Sequence, residues 1–286
     1  MNLKFEKNNY EYIPQLKRLW MDTFDEKEQS VDLFFERCKT FVSFYTASVD
    51  RKPVSMVFLV HSTLNGKKAH YLCSAATSKE YRKRGIMSSL IEYALEDACG
   101  KGDCYSLLFP ADDRLYGYYE RFGYLPNCTA CKTVFSRQEL EKIVENKISS
   151  QDNLRAFSFE ELQRLIFGDN FLVQNNEFVS FAFEYYSLYD CKAIKSENCC
   201  ALISEQSYCA DVFYSLYSSF STLAKMILEN SSAKTFVFTQ KAECKNTDLS
   251  TQKNSGIKNI EKYGMIKSLC DKNKTPEDVF IGITLN

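Results

Sequence analysis

Two apolar, strand-like runs, Val54 to His61 and His70 to Thr77, flank Leu64-Asn65-Gly66-Lys67. Asn-Gly supplies the positive φ angles that a two-residue hairpin turn demands, so these runs are fixed as antiparallel neighbours in one register. Immediately afterwards the period changes. From Arg84 to Cys99 the residues Ile86, Met87, Leu90, Ile91, Ala94, Leu95 and Ala98 recur at helical spacing, with Glu92, Glu96 and Asp97 opposite them. Gly100 and Gly102 stop this helix, Cys104 to Phe109 forms a short apolar strand, and Pro110 ends it. Strand, helix and second strand in this order make a parallel βαβ unit attached to an antiparallel meander. The fold class is therefore α+β: a mixed, mainly antiparallel sheet flanked by helices.

Upstream, Leu3 to Phe5 is a short apolar start. Helices follow over Tyr12 to Phe24, with Ile13, Leu16, Leu19 and Trp20 inward, and over Gln29 to Cys38, with Val31, Phe34 and Phe35 inward; Phe41 to Val49 adds a strand. Downstream, Asp112 or Asp113 caps a helix running to Phe122, and Gly123 takes its C-cap. A polar helix and loop over Ser136 to Ser158 set a boundary between domains 1–145 and 146–286. The second half repeats the order more weakly: a helix from Phe159 to Ile166, strands near Cys191–Ile194, Cys199–Ser204 and Tyr208–Phe213, a helix from Phe220 to Leu228, and strands at Lys234–Thr239 and Val279–Leu285. Lys241 to Lys258 is polar and aperiodic, which predicts a loop. This half contains no Gly-rich phosphate loop.

Composition removes several function classes. The 36 Lys+Arg and 37 Asp+Glu of the 286 residues nearly cancel, so a general electrostatic grip on nucleic acid is not expected. No apolar run approaches a membrane span, and the start MNLKFEKNNYEY lacks a secretory h-region, which predicts a cytoplasmic protein. The twelve cysteines are scattered, so reduced thiols are expected rather than a disulfide framework. Cys128-x-x-Cys131, the adjacent Cys199 and Cys200, and the distant His61 and His70 do not make a four-ligand zinc set, so no metal is expected.

The chemistry concentrates in Ala76-Thr77-Ser78-Lys79-Glu80-Tyr81-Arg82-Lys83-Arg84-Gly85-Ile86-Met87-Ser88-Ser89-Leu90, between a strand end and a helix start. First-turn N–H groups lack intrahelical partners, and the helix dipole adds positive potential, so such a turn holds a phosphate. Gly85 permits close approach to the backbone, while Arg82, Lys83 and Arg84 concentrate positive charge. A solvated basic loop before an ordinary amphipathic helix is the competing explanation. Nearby, Leu115-Tyr116-Gly117-Tyr118-Tyr119-Glu120-Arg121-Phe122-Gly123-Tyr124 offers a tyrosine hydroxyl as a proton donor, or simply one packing aromatic among 18 tyrosines.

The order helix, helix, hairpin, T-S-K-E-Y-R-K-R-G-I-M-S-S-L, strand, Y-Y-E-R-F-G-Y resembles the GNAT superfamily of acyl-CoA-dependent N-acyltransferases over residues 1 to about 135. Within it the chain is most similar to the multidomain enhanced-intracellular-survival type, whose first acetyltransferase domain precedes a degenerate second one. No third, sterol-carrier-like domain is evident. Arg82, Gly85 and Met87 occupy the three named places of the family motif Arg/Gln-x-x-Gly-x-Gly/Ala, and Met87 departs from the usual small residue. The resemblance implies that Arg82, Lys83, Arg84, Gly85, Ile86, Met87 and Ser88 bind the CoA pyrophosphate. It also implies that the backbone of Ala75, Ala76 and Thr77 pairs with the pantetheine arm, in a cleft where two central strands splay apart. Tyr119 would protonate the departing CoA thiolate.

By resemblance the chain is thus an acetyl-CoA-dependent N-acetyltransferase with a small-molecule or peptide amine as second substrate, compatible with a homo-oligomer. Phe, Tyr, Glu and Asp in the first two helices suit a cationic amine such as an aminoglycoside, a polyamine or a lysine side chain. The alternative is a non-catalytic acyl-CoA-binding or regulatory module. Another phosphate-binding role is weaker, because no Walker-type G-x-x-x-x-G-K-[ST] occurs.

Overall fold

Asn65 and Gly66 take φ of 51° and 74°, and the Asn-Gly turn joins the two longest strands as its chemistry dictates. The computed structural model describes residues 2–146, 158–196, 199–217, 219–241, 258–270 and 274–285. The middle of the expected Lys241–Lys258 loop and most of the expected Asn146–Asn153 loop lie outside them. By contact density the chain divides into two units: 1–127 with 264–276 and 284–286, and 128–263 with 277–283.

The first unit opens with β1 (Leu3–Lys7), α1 (Ile13–Phe24), α2 (Glu28–Arg37), β2 (Val42–Val49), β3 (Lys52–Leu64) and β4 (Lys67–Thr77). It continues with α3 (Ile86–Gly100), β5 (Tyr105–Leu108) and α4 (Arg114–Glu120). Strand alternation sends successive side chains to opposite faces. Val57 and Leu59 of β3 pack with Leu90, Ile91 and Ala94 of α3, while Phe58 between them meets Trp20 at 5.4 Å and Phe34 at 5.2 Å between ring centres. The Trp20, Phe34 and Phe35 rings are therefore core, 0–3% exposed, and do not form an aromatic ligand lining.

The second unit holds β6 (Thr129–Ser136), α5 (Arg137–Glu145), α6 (Phe159–Phe167), β7 (Leu172–Gln174), α7 (Asn176–Ser187), β8 (Lys192–Lys195), β9 (Cys199–Gln206), β10 (Cys209–Tyr217), α8 (Phe220–Asn230), β11 (Thr235–Gln240) and β12 (Lys258–Lys262). Its sheet runs β12-β6-β11-β10-β9-β8, with β10 and β11 parallel. Leu223, Ala224 and Ile227 of α8 join Phe135 and Phe236 in its core. The chain then contributes β13 (Met265–Ser268) to the first sheet, whose order is β1-β2-β3-β4-β5-β13.

The order strand, strand, helix, strand thus occurs twice, as β3-β4-α3-β5 and β9-β10-α8-β11, each with one parallel pair flanking the helix. These are two GNAT-like sheets of mixed, mainly antiparallel type flanked by helices. The units part at Asn127/Cys128 rather than at 145/146, because β6 pairs along its length with β11 from Ser136↔Thr235 to Cys131↔Gln240. The expected terminal strand Val279–Leu285 is not a regular strand. It makes single bridges at Val279 and Phe280, and Gly282, at φ +80°, turns the backbone out of the extended region. The side-chain amide of Gln174 then replaces a strand partner, donating to the Ile283 carbonyl at 2.6 Å and accepting from its N–H at 3.1 Å.

Candidate functional site

The site is built by a fork in the first sheet. β4 and β5 pair in parallel only from Ala69↔Tyr105 to Leu72↔Leu108, yet β4 runs on to Thr77. On its other side β4 stays paired with β3, through an irregularity between Met56 and Phe58 and on to Ser55↔Thr77. Ser74 sits there at φ 50°, so the bulge re-aims the strand just where its β5 partner ends. Cys73, Ser74, Ala75, Ala76 and Thr77 thus present one edge of backbone not paired with β5. This is the splay that the resemblance requires. Two carbonyls of the segment are already used: Ser55 Oγ donates to Ala76 O and Arg82 Nε donates to Thr77 O, both at 2.9 Å.

Beyond Thr77 the chain enters the basic loop. Lys83 and Gly85 take φ of 62° and 75°, which turns the backbone sharply before α3 starts at Ile86 rather than at Arg84. No side chain caps this helix end, so its first-turn N–H donors keep their capacity for an anion. A Cβ placed on Gly85 would meet no atom within 4 Å. The glycine is thus required by its backbone angle and by the open cradle in front of it, not by crowding from the protein.

A cavity of about 450 Å³ lies here, lined by Thr77, Arg82, Lys83, Gly85, Ile86, Met87 and Ser88. Tyr81, Tyr118 and Arg121, which sequence reasoning did not select, complete it. Arg121 stacks over the Tyr118 ring at 4.7 Å, and Ser88 Oγ lies 3.4 Å from Tyr118 Oη, joining α3 to α4. The Tyr118/Arg121 pair at i and i+3 on the tyrosine-rich helix was the available signal. Of the expected loop residues, Arg84 turns its guanidinium over Tyr81 at 5.4 Å and does not line the cavity. Met87 packs against the hydrophobic core and also lines the cavity.

No carboxylate lines this cavity. Among the described residues Arg82, Lys83 and Arg121 have no acidic partner, since none enters an ion pair. Cations without an acidic partner and an uncapped helix start fit a ligand carrying several phosphate charges.

Tyr119 stands apart from the cavity lining, deeper in the fork, with its ring in the core beside Tyr124 at 6.0 Å. Its hydroxyl makes no hydrogen bond among the described residues, and it is not one of the polar atoms sealed from solvent without a partner. Burial first, then the neighbouring Tyr118 and Cys73, pushes its pKa above the ordinary tyrosine range. Cys73, at the branching point of the fork, is pushed up to about 12, mainly by burial and further by the charge of Glu26 from the α1–α2 turn.

The second unit repeats the fork without the cradle. β10 and β11 pair only from Cys209↔Thr235 to Val212↔Phe238, and β10 continues to Tyr217. The link to α8 has neither glycine nor cation, and Gln240 Nε2 donates to Tyr217 Oη at 2.9 Å, both side chains being buried.

A splayed parallel pair with a basic, uncapped helix start is the arrangement that the resemblance to the GNAT superfamily implies. Residues 5–126 match the family model of the acetyltransferase (GNAT) domain. Three solved structures share the fold of nearly the whole chain. They are a GCN5-related N-acetyltransferase from Kribbella flavida (17% identity, TM-score 0.67, 93% of this chain and 71% of that one), one from Anabaena variabilis ATCC 29413 (15%, 0.64, 94% and 73%), and Eis1 from Mycobacterium abscessus (9%, 0.60, 94% and 74%). No curated protein matches the chain in sequence. Among the described residues there is no cluster that could hold a metal ion, and no helix is long and apolar enough to cross a membrane.

Proposed function

We propose that the chain is a cytoplasmic, acetyl-CoA-dependent N-acetyltransferase that acts on a primary amine by direct attack in a ternary complex. The observation that carries this reading is the cavity at the start of α3, with three cations that no carboxylate neutralises, opening on the unpaired edge of β4. Arg82, Lys83 and the first-turn amides of Ile86, Met87 and Ser88 would hold the pyrophosphate, with Arg121 and Tyr118 as the opposite wall. The edge at Ala75–Thr77 would align the pantetheine arm, and bound acetyl-CoA would supply the activated thioester.

Tyr119 would be the proton donor to the departing thiolate. A raised pKa keeps its proton in place at neutral pH. Full transfer to a thiolate whose acid has a pKa near 8.5 is then uphill, so its contribution is a hydrogen bond to developing charge at least as much as proton delivery.

One observation favours a second reading, a non-catalytic acyl-CoA-binding module: the Tyr119 ring is built into the core like a packing residue. Calorimetric titration with acetyl-CoA followed by thiol release with a panel of amines separates the two. Saturable binding with turnover that falls at least about a hundredfold in Tyr119→Phe supports the enzyme, binding without turnover supports the module, and absence of binding refutes both.

A further inference from the structure

Three thiols of the first unit gather at the far end of α3 from the basic loop. Cys99 stands in the last turn of α3, Cys104 just before β5, and Cys270 two residues after β13. The Sγ atoms of Cys99 and Cys270 are 3.6 Å apart. Cys99 Sγ donates to Leu269 O at 3.5 Å and Cys270 Sγ to Asp103 O at 3.0 Å. The backbone beneath both is fixed: Leu269 N–H donates to Cys104 O at 2.8 Å, Gly102 N–H to Cys99 O at 2.9 Å and Asp103 N–H to Ala98 O at 3.0 Å. Access narrows the choice further. Cys270 and Cys209 are exposed, and Cys99, Cys104 and Cys191 are half-buried, whereas Cys38, Cys73, Cys128, Cys131, Cys199 and Cys200 are buried; among the described residues only Cys99 and Cys270 combine access with a sulfur neighbour at 3.6 Å.

We propose that Cys99 and Cys270 form a modification site, closing to an intramolecular disulfide when the protein meets a peroxide or a small disulfide such as oxidised glutathione. The sulfurs must approach from 3.6 Å to about 2.05 Å, a movement that side-chain rotation at the exposed Cys270 supplies. With peroxide, one thiol gives up two electrons to the O–O bond and becomes a sulfenic acid with release of water. The other sulfur attacks it, the S–S bond forms, and the second oxygen leaves as water. With oxidised glutathione, one thiolate displaces a glutathione and the second thiolate displaces the other, leaving the protein disulfide and two glutathiones. Desolvation, together with the adjoining Cys99 and Cys104 thiols, pushes the Cys270 thiol up to about 11. Cys270 is therefore thiol rather than thiolate at neutral pH, and the reaction needs an oxidant in excess.

The bond would lock the end of α3 to the segment beyond β13, the strand that pairs with β5 from Met265↔Leu108 to Ser268↔Tyr105. It would also close a loop between two residues far apart in sequence, which restrains the unfolded chain.

The reduced full-length chain is treated with hydrogen peroxide and, in parallel, with oxidised glutathione, then mapped without reduction. The proposal expects a mass loss of about 2 Da, a cross-linked peptide pair containing Cys99 and Cys270, reversal by dithiothreitol, and an oxidised form melting several degrees higher. Cys270→Ser should show neither the cross-link nor the rise. Independent oxygen addition at the two sulfurs, a stable glutathione adduct, a bond to Cys104 or between two molecules, or survival of both free thiols overturns it. None of these readouts depends on acyl transfer.

Discussion

Gly85 and Gly66 provide a matched pair of perturbations. Their φ angles are 75° and 74°, and a Cβ on either would meet nothing within 4 Å. Alanine in the left-handed region costs about 1–2 kcal/mol, and the loss of unfolded-state freedom on replacing glycine returns about 0.4–1 kcal/mol. Each variant should therefore lose roughly 1 kcal/mol, a fall of about 2–4 °C in melting temperature for a chain of this size. Binding should separate them. In Gly66→Ala the methyl sits on a hairpin tip and acetyl-CoA affinity should be unchanged. In Gly85→Ala it enters the space that a pyrophosphate needs to reach the backbone, and affinity should fall at least about tenfold, worth 1.4 kcal/mol. Calorimetric titration and thermal melts on the two variants read both quantities. Equal acetyl-CoA affinity in both would refute the placement of the ligand at the α3 start. A Gly85→Ala variant as stable as the parent would refute the backbone argument.

Arg82→Glu should abolish acetyl-CoA binding, since it reverses a cavity charge and removes the bond that holds the Thr77 carbonyl; isothermal titration with the folded variant decides it. Tyr119, with its pKa raised, should stay protonated through the assay range, so turnover should not decline with loss of this proton below about pH 9; a descending alkaline limb that disappears in Tyr119→Phe would contradict this. Against the desolvation that would raise it, hydrogen bonds from Lys101, Lys7 and Tyr45 hold the Asp97 carboxyl well below its ordinary 3.8. A depressed folded-state value means stability present above the unfolded pKa and lost as pH falls below it. Asp97→Asn should thus cost about 1–3 kcal/mol at neutral pH, and its gap to the parent in thermal melts should narrow on acidification below about pH 4. Leu90→Ala, at a fully buried position of α3, should cost about 2–5 kcal/mol in denaturant unfolding.

Local signals located most of the elements around the cavity. The Asn65-Gly66 hairpin, the change of period at Arg84 and the glycine before Ile86 are short-range features, and the structure places β3, β4, the basic loop and α3 within a few residues of where they point. The i, i+3 spacing of Tyr118 and Arg121 showed that they share a helix face, but not that this face meets the α3 start, a proximity that only packing sets. Arg84 was included for its charge, yet it stacks on Tyr81, a choice made by packing between neighbours. α7 was not anticipated: its rings, among them Phe178, Phe181 and Tyr185, are buried on a helix in a stretch whose aromatic crowding hides its period.

By itself the sequence determined strands β2 to β5 of the first sheet, the hairpin between β3 and β4 and the basic, glycine-broken turn before α3, because each rests on interactions within a few residues. Only the tertiary structure decided that β6 joins the second sheet while β13, more than 150 residues from β5, completes the first, and that Cys99 faces Cys270. Edge strands are recruited by whichever backbone edge is left open. That competition is settled by chain closure and core packing together, so a strand of four or five residues carries in its own sequence no record of which edge it joins.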